Sequence, residues 1–389
     1  TNVVLEVKRR KVLIIFSVAS MIQQFNRLNI DILEELGYEI TIATNFESPG
    51  NISKKAAKDL ENELIVRNIK CIQLDFKRGI GSLKSNFSIF VKLRKLKREN
   101  YDVVHIHSPI AGILTRLAFI NSKAKIIYTA HGFHFYRGGP YLSWVIFYPL
   151  EKMLSYCTDI LLTINNDDTN LAKKRFHAKK VIHIPGVGIN WEKFQFRKEQ
   201  DYNCKQKEEY GLEEDYPIFL SVGELNDNKN HETAIRAIMQ LNEPVYYLIA
   251  GIGKLDKELE ILIESLDYPD RVRLLGYVSD VPKLLNMADF FVFLSKREGL
   301  GLAALEAMAS GLPLISSYVG GIKDYTENNV TGLVIQNPTD IDEVASVLEI
   351  LLNKDKEELE NFSKKNKLIA LNYDESKVRE IMMDIYSQC

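Results

Sequence analysis

A complete strand–loop–helix unit occupies residues 289–313, which read Asp289-Phe-Phe-Val-Phe-Leu294-Ser-Lys-Arg-Glu298-Gly-Leu-Gly301-Leu-Ala-Ala-Leu-Glu306-Ala-Met-Ala-Ser-Gly311-Leu-Pro313. The run from 289 to 294 predicts a buried strand, and the glycines at 299 and 301 allow the chain to turn. The next segment predicts a helix that ends at Gly311, because glycine is common just past a helix end and proline cannot continue the helix. The unit is typical of an α/β protein in which strands lead into helices.

Short apolar, β-branched runs alternate with helix-period segments along the whole chain. Runs that are apolar on both faces are typical of parallel strands covered by helices on either side. Right-handed crossovers between such strands give doubly wound sheets. The predicted strands are Val12–Phe16, Glu39–Ala43, Cys71–Leu74, Asp102–Ile106, Lys125–Thr129, Asp159–Ile164, Val181–Ile184, Pro217–Val222, Val245–Ala250, Val272–Leu275, Asp289–Leu294, Pro313–Ser316 and Gly332–Ile335.

A break near the middle of the chain divides these strands into two groups. So many strands would be unusual in one sheet, and ~250–300 residues is near the limit for one core. The turn Pro185–Gly188 precedes a polar stretch with little apolar periodicity, which is typical of a linker. We therefore predict two Rossmann-like, doubly wound parallel-sheet domains that face each other across a cleft, with ligands at the carboxyl ends of the strands. The predicted parts are an N-terminal domain at 1–190, a linker at 191–214, a C-terminal domain at 215–373, and a helix at 374–389 that packs back on the first domain.

The composition is that of an ordinary soluble globular protein, with 46% apolar and 26% charged residues. That composition excludes a disordered chain, a coiled coil and a collagen-like repeat. No run approaches ~18 uninterrupted apolar residues, so no segment is expected to span a bilayer. The four cysteines are far apart and form no C-x-x-C motif, which predicts neither a zinc site nor a disulfide framework. We expect a cytoplasmic protein.

Charge is distributed unevenly between the two halves of the chain. Residues 1–190 hold 28 Lys and Arg against 16 Asp and Glu, a balance of +12, whereas residues 191–389 hold 22 against 36, a balance of −14. A basic first domain would be attracted to an anionic membrane surface, a nucleic acid or a phosphorylated acceptor. The alternative is that solvated Lys-rich helices simply fall in this half.

Two segments of the basic half combine apolar or aromatic side chains with basic ones. Residues 84–98 predict a helix with an apolar and a basic face, and residues 133–150 are rich in aromatic side chains. Such combinations suit a membrane interface, although an ordinary amphipathic helix and a stretch of core would look similar. We favour contact with an anionic membrane surface without deep insertion. The apolar residues of the first segment are Phe87, Phe90, Val91 and Leu93.

Two glutamates mark the loop and helix of the opening stretch as a candidate binding site. Glu298 lies in the loop, and Glu306 lies in the first turns of the predicted helix. Backbone N–H groups at a helix N-terminus favour an anion such as a diphosphate. A carboxylate beside a phosphate can accept hydrogen bonds from sugar hydroxyls, as the acidic residue of dinucleotide folds does. The alternative is that Glu306 only places a favourable charge near a helix start. The two glycines and the second glutamate argue against this alternative.

The Glu-x7-Glu spacing of Glu298 and Glu306 resembles the signature of family 4 retaining glycosyltransferases, which use nucleotide sugars and have the GT-B fold. Nearly the whole chain agrees with this resemblance, and the first half looks like the subgroup that builds bacterial capsular and exopolysaccharides. The stretches that carry it are Ser221–His231, Ala250–Gly253, Leu275–Asp280 and Val319–Asp324 in the second half, with His105–Gly112 and Tyr128–Tyr136 in the first.

The resemblance implies a role for each residue of a donor site. Glu306 would bind the ribose hydroxyls, Lys229 the diphosphate, and Glu298 the hydroxyls of the donor sugar. The turn at Tyr277 and Val278 would receive the base, which is expected to be uracil. The glycine-loop and amide positions expected to line the same site are Gly223, Gly253, Gly299, Leu300 and Gly301.

The catalytic set that the resemblance implies is His131, Lys229 and Glu298. His131 follows a predicted strand, which would place it at the carboxyl edge of the sheet with a protonation state able to switch near neutral pH. It would lie against the donor sugar and the scissile phosphate and act by hydrogen bonding rather than as a nucleophile. We expect structural roles for His105 and His107, with side chains on opposite faces of their strand. No metal site or cofactor is expected, because the family generally needs no catalytic metal.

Two departures from the family pattern affect these expectations. Many relatives have arginine where this chain has Glu224, and a carboxylate cannot contact phosphate as that arginine does. Lys229 and Arg297 would then carry more of the neutralisation. The glycine-rich loop after the first strand is also absent, since residues 16–24 read Phe-Ser-Val-Ala-Ser-Met-Ile-Gln-Gln.

The resemblance implies a retaining glycosyltransferase that moves a hexose or N-acetylhexosamine from a UDP-sugar to a lipid-linked, polyprenyl-diphosphate saccharide in capsule or exopolysaccharide synthesis. The basic domain would take the acceptor at the inner face of the plasma membrane, with no nucleic acid as partner, and a homodimer stays open. One alternative is a non-catalytic nucleotide-sugar-binding subunit of a membrane glycan assembly complex. It stays open because this chain has Glu224 where many relatives have a phosphate-binding arginine. The other is a GT-B nucleotide-sugar 2-epimerase, against which the Glu-x7-Glu helix argues.

Overall fold

The computed structural model describes residues 9–77, 79–136, 138–195, 206–213 and 215–389. The chain divides into two compact units, of which unit 1 contains residues 1–187 and 376–389 and unit 2 contains residues 188–375. Much of the predicted linker, at 196–205 and 214, lies outside the described residues, as does Cys204. No helix in the described ranges combines the length and apolar character needed to cross a bilayer.

Unit 1 contains a parallel sheet in the order β3-β2-β1-β4-β5-β6-β7. The central strands β1, β2, β4 and β5 are buried almost throughout, as their apolar runs predict. Its strands are β1 Lys11–Ile15, β2 Glu39–Thr44, β3 Lys70–Gln73, β4 Val103–His107, β5 Lys125–Ala130, β6 Ile160–Thr163 and β7 Lys180–His183. Its helices are α1 Ser20–Phe25, α2 Arg27–Glu35, α3 Lys54–Val66, α4 Leu83–Leu96, α5 Pro109–Ala118, α6 Tyr141–Ser155 and α7 Asn166–Arg175.

Unit 2 repeats this design with a parallel sheet in the order β10-β9-β8-β11-β12-β13. Its strands are β8 Ile218–Val222, β9 Tyr246–Ala250, β10 Val272–Gly276, β11 Phe290–Phe293, β12 Leu314–Ser317 and β13 Gly332–Ile335. Its longer helices are α8 His231–Ile238, α9 Asp256–Glu264, α10 Val281–Met287, α11 Leu302–Ala309, α12 Ile341–Leu352 and α13 Lys356–Leu371. Each of the thirteen predicted strands is present, and the expectation of two doubly wound parallel sheets is confirmed.

Both sheets have a point at which the strand order reverses direction. In unit 1 this switch point lies between β1 and β4, and in unit 2 it lies between β8 and β11. The helices that follow the two central strands leave toward opposite faces there, which opens a crevice at the carboxyl ends of the strands. The loops after β1, β4, β8 and β11 are therefore the ones positioned to hold a ligand.

The last helix, α14 (Glu375–Ser387), belongs to unit 1 although the strands before it belong to unit 2. Its buried face includes Val378, Met382 and the fully buried Tyr386. The Tyr38 hydroxyl donates to the backbone carbonyl of Tyr386 at 2.8 Å, and Arg10 Nη1 donates to the Cys389 carbonyl at 3.0 Å. Apolar burial and these hydrogen bonds hold the end of the chain against the first sheet.

A buried ion pair joins α5 to α6 in unit 1. Arg116 Nη2 donates to both carboxylate oxygens of Glu151, at 2.9 and 2.8 Å, and the two side chains are only 1% and 7% exposed. The Arg116 guanidinium also stacks 4.2 Å from the centroid of the Tyr128 ring, and its Nε donates to the Gly112 carbonyl. Each charge is therefore compensated, which is the condition under which buried ions are tolerated.

Replacing Arg116 with Met is expected to lower the free energy of unfolding by about 3–5 kcal/mol, because it leaves the buried Glu151 carboxylate without its partner. The double variant Arg116→Met/Glu151→Leu removes both charges and should recover most of that loss. Urea unfolding followed by circular dichroism measures both. A single variant as stable as the wild type would contradict the assignment of this pair.

Candidate active site

The loops after β8 and β11 are joined side by side at the switch point of the second sheet. Asn228 makes the junction: its Nδ2 donates to the Arg297 carbonyl at 2.9 Å, and its Oδ1 accepts from the Arg297 amide at 2.9 Å. The Lys296 amide donates to the Asn228 carbonyl at 2.8 Å. Asn228 was not among the predicted site residues, and no local pattern in the sequence marks it.

This junction brings Lys229 and Glu298 into direct contact. Lys229 Nζ donates to Glu298 Oε2 at 2.7 Å, and the side chains are 21% and 16% exposed. The ammonium lies 5.0 Å from the centroid of the Phe293 ring, and the Lys229 stem passes beside Gly223, where a Cβ would lie 3.5 Å from Cδ. A cation and an acceptor are therefore held together in a crevice, both partly open to solvent.

The segment from Glu298 to Gly301 is held from one side by the turn after β12. The Gly321 amide donates to the Glu298 carbonyl at 3.1 Å, and the Tyr325 hydroxyl donates to the Leu300 carbonyl at 2.7 Å. The approach is so close that a Cβ at Gly321 would lie 2.1 Å from the Gly299 carbonyl oxygen. Only glycine fits at this contact, which gives the Val319–Asp324 motif a physical reason.

Glu306 lies on α11, with its side chain directed back toward the start of the helix by the geometry of the α-helix. Burial raises the pKa of its carboxyl to about 7, and Lys193 acts in the opposite direction. The group therefore exchanges its proton near neutral pH in the ligand-free protein. A partner that stabilises the carboxylate, such as a pair of hydroxyl groups, would lower this pKa again.

The remaining predicted donor residues fall into two groups. Gly223 and Gly253 lie where the β8 and β9 loops touch, since a Cβ at Gly253 would lie 2.3 Å from the Leu225 carbonyl oxygen. Tyr277 and Val278 follow β10, the edge strand on that side, and Tyr277 is 78% exposed. The structure places them apart from the Lys229–Glu298 pair, with β9 between β10 and β8.

In unit 1, three histidines lie together at the ends of β4 and β5. The rings of His105 and His107 are 4.2 Å apart, so the prediction that they face opposite sides is wrong: residues two apart on a strand share a face. His107 Nδ1 lies 3.1 Å from Nε2 of His131. Burial lowers the pKa of His131 to about 4 and that of His105 to about 3. The expectation that His131 switches protonation near neutral pH is therefore corrected, because its imidazole is neutral there.

No group of three or more His, Cys, Asp or Glu side chains in the described parts of the chain is arranged to hold a metal ion.

Glu224, the departure from the family pattern, is exposed, and its backbone carbonyl lies 3.3 Å from Nε2 of His231. Its carboxylate acts on the exposed Lys254, whose pKa it helps Asp227 to raise, and the ion pair of Lys229 is with Glu298.

Replacing Glu306 with Gln is expected to raise the melting temperature at pH 8 by clearly more than at pH 5. The folded-state pKa of about 7 is above the ordinary value of 4.5, so the wild type loses stability as pH rises through this window. Each kcal/mol shifts the melting temperature by roughly 2–4 °C for a unit of this size. Thermal unfolding at several pH values measures the effect, and an equal difference at pH 5 and pH 8 would contradict it.

Comparison with known proteins identifies the family and the fold. A family model described as "Glycosyl transferases group 1" matches residues 203–368, and one described as "Glycosyl transferase 4-like" matches residues 11–165. The crystal structure of Anabaena HepE, solved in complex with UDP and glucose, superposes with a TM-score of 0.77 at 17% identity, covering 98% of this chain and 100% of that one. This similarity establishes the fold, GT-B, as the resemblance implied.

Two relatives are similar over most of their length. The putative glycosyltransferase EpsD of Bacillus subtilis (strain 168) is 34% identical over 310 residues, which cover 78% of this chain and 81% of that one. The UDP-Gal:alpha-D-GlcNAc-diphosphoundecaprenol alpha-1,3-galactosyltransferase of Escherichia coli is 30% identical over 298 residues, which cover 74% and 75%. With these relatives and both family matches, the chain belongs to the group 1, family 4-like glycosyltransferases and is a glycosyltransferase with the GT-B fold.

Proposed function

We propose that this glycosyltransferase transfers a hexose or N-acetylhexosamine from a UDP-sugar to a lipid-linked, polyprenyl-diphosphate saccharide during synthesis of a bacterial capsule, exopolysaccharide or related surface glycan. The observation that carries the proposal is the Lys229–Glu298 pair at the switch point of the second sheet, beside the start of α11. The name of the Escherichia coli relative, a UDP-sugar transferase that acts on a diphosphoundecaprenol-linked sugar, supports the choice of donor and acceptor.

The two charged side chains fit the two halves of a nucleotide sugar. The Lys229 ammonium would neutralise the diphosphate, together with the N–H groups at the start of α11. The Glu298 carboxylate would accept hydrogen bonds from the sugar hydroxyls, and Glu306 would accept from the ribose hydroxyls. The base would lie by Tyr277 and Val278. In this arrangement the protein supplies the positive charge that the leaving diphosphate needs, so the proposal includes no metal and no other cofactor.

The proposed reaction exchanges one bond at the anomeric carbon for another. The bond from this carbon to the phosphate oxygen breaks, and a bond to the acceptor hydroxyl oxygen forms on the same face, with retention of configuration. The hydroxyl proton passes to the departing diphosphate. His131 would assist as a neutral hydrogen-bonding group, which is consistent with its pKa of about 4. No protein nucleophile takes part in this scheme.

An exposed apolar surface on unit 1 supports a membrane-associated acceptor. On α4 the side chains of Leu83, Phe87 and Val91 are 91%, 67% and 38% exposed and recur at intervals of four residues. Leu93, which was predicted to share that surface, is instead buried in the core. The exposed apolar residues at the start of α6 are Tyr141, Leu142, Val145 and Ile146. Exposed lysines and arginines accompany them on α4, so we propose peripheral attachment to the anionic inner face of the plasma membrane.

UDP is expected to raise the melting temperature, whereas GDP and ADP are not, and EDTA should leave the shift unchanged. A ligand at a hundred times its dissociation constant stabilises by ~2.7 kcal/mol, which thermal-shift titration detects. Lys229→Ala should abolish the shift. The matched control is Lys254→Ala, since Lys254 is an exposed lysine that pairs with Asp227 on the adjoining loop. No shift with any nucleotide would contradict the proposed donor site, and loss of the shift with EDTA would overturn the metal-free proposal.

The variant Leu83→Glu/Phe87→Glu is expected to reduce binding to vesicles that contain anionic lipid, because it replaces exposed apolar side chains with charges of the same sign as the membrane. The control Ile261→Glu/Leu368→Glu changes two exposed apolar residues of unit 2, which are both about two-thirds exposed (67% and 66%). Co-sedimentation with vesicles measures both variants. Equal binding by the wild type and the α4 variant would contradict the proposed membrane surface.

A further inference from the structure

A line of three hydrogen-bonding side chains leads from the buried interior of unit 1 to His131. It begins at Asn26, the residue between α1 and α2, continues through His107 at the end of β4, and ends at His131 just after β5. Asn26 Nδ2 lies 2.9 Å from His107 Nε2, and His107 Nδ1 lies 3.1 Å from His131 Nε2. Asn26 and His107 are 2% and 1% exposed, so the hydrogen bond between them is shielded from water.

The Asn26 side chain determines which atoms donate and which accept along this line of hydrogen bonds. The Asn26 amide is oriented with Nδ2 toward His107, and its Oδ1 is buried with no hydrogen-bond partner among the described residues. In this orientation the amide nitrogen donates, so Nε2 of His107 accepts and carries no proton. A neutral imidazole has one N–H, so His107 carries its proton on Nδ1 and donates it to Nε2 of His131. By the same argument His131 carries its own proton on Nδ1. Burial, which lowers the pKa values of all three histidines, keeps each ring in the neutral form that the argument requires.

Packing prevents the rings from turning out of this arrangement. The His107 ring lies between Phe16, at 4.7 Å, and His105, at 4.2 Å, measured between ring centroids. His105 is held in turn by the hydroxyls of Tyr386 and Thr129, at 2.5 and 2.7 Å from its two ring nitrogens. The His131 ring rests against Phe25 at 5.6 Å. The hydrogen-bond direction is therefore supported by contacts from several elements of unit 1.

We propose that Asn26 and His107 are positioning residues that fix His131 in the Nδ1–H tautomer, so that it presents an N–H group to a substrate oxygen. The proposal rests on the proposed function, in which His131 contacts the substrate. An N–H group stabilises negative charge that develops on an oxygen, whereas the opposite tautomer would place a lone pair there and repel it. Neither Asn26 nor His107 contacts the substrate in this scheme; each acts through the ring beyond it.

The tautomers are measured directly by two-bond ¹H–¹⁵N correlation spectra of the full chain labelled with ¹⁵N-histidine, at pH 7.5 and without substrate. The variants His107→Gln and His131→Gln assign the two signals. We expect both histidines as the neutral Nδ1–H form. An Nε2–H form of His131 in the wild type would overturn the proposal, whatever the enzyme's activity, because this measurement depends on no substrate.

The variant Asn26→Leu removes the donor that starts the line while keeping a side chain of similar size. We expect a mixed population of His131 tautomers and a kcat lower by about tenfold, with the donor KM within twofold of the wild type. Activity is UDP release from whichever of UDP-glucose, UDP-galactose or UDP-N-acetylglucosamine the wild type uses. The control is Asn170→Leu, which makes the same change at an exposed position on α7 and should change neither the tautomer nor kcat by more than about twofold.

The outcomes separate this proposal from the proposed function. If Asn26→Leu shifts the tautomer but leaves kcat unchanged, the positioning role is overturned. If His131→Ala keeps full turnover, the proposed role of His131 fails even though the wild-type tautomer stands. If Asn26→Leu does not fold, which its melting curve would show, the wild-type spectrum still decides the direction of the hydrogen bonds.

Discussion

Both units of this protein depend on one constraint, which is that their parallel strands are buried on both faces. Strands such as β4 and β9 have no exposed side on which polar chemistry could be placed. Their carboxyl ends all meet one edge of the sheet, and the switch point opens that edge between two diverging helices. Lys229 and Glu298 are 69 residues apart in sequence; this constraint brings their loops to the same edge, and the Asn228–Arg297 hydrogen bonds join the loops so that the two side chains lie 2.7 Å apart. The strand order of the sheet therefore determines where the site lies, more than any single residue does.

The charges at this edge are arranged so that a ligand can replace one of them. Lys229 and Glu298 are mostly buried, and removing either would leave the other with a desolvation penalty that its partner now offsets. In the proposed function, an incoming diphosphate would offer the ammonium a second anion, and sugar hydroxyls would offer the carboxylate new donors. Under the proposed function, the ion pair would hold both side chains in place until the ligand took over their hydrogen bonds, which would reduce the ordering that binding otherwise requires.

The elements of the fold were predictable because the signals are local. Runs of buried apolar residues identify the strands, and glycines such as Gly301 and Gly311 mark where α11 begins and ends. The partners of the site were not predictable, since Asn228–Arg297 and Tyr325–Leu300 join distant loops and no spacing rule relates them. The state of His131 was missed for a similar reason: its pKa depends on burial by other elements, not on its position after a strand.

The two units compensate their buried polar groups in different ways. Unit 2, in the acidic half of the chain, places a compensated pair of full charges at its switch point. Unit 1, although it is rich in lysine and arginine, gathers neutral histidines at the corresponding edge and supports them with hydroxyls and an amide. A neutral ring held by hydrogen bonds has a defined direction without the desolvation cost of an ion. Because Tyr386 in α14 supplies one of those hydrogen bonds, the return of α14 to unit 1 helps to order His105, the neighbour of His107 and His131.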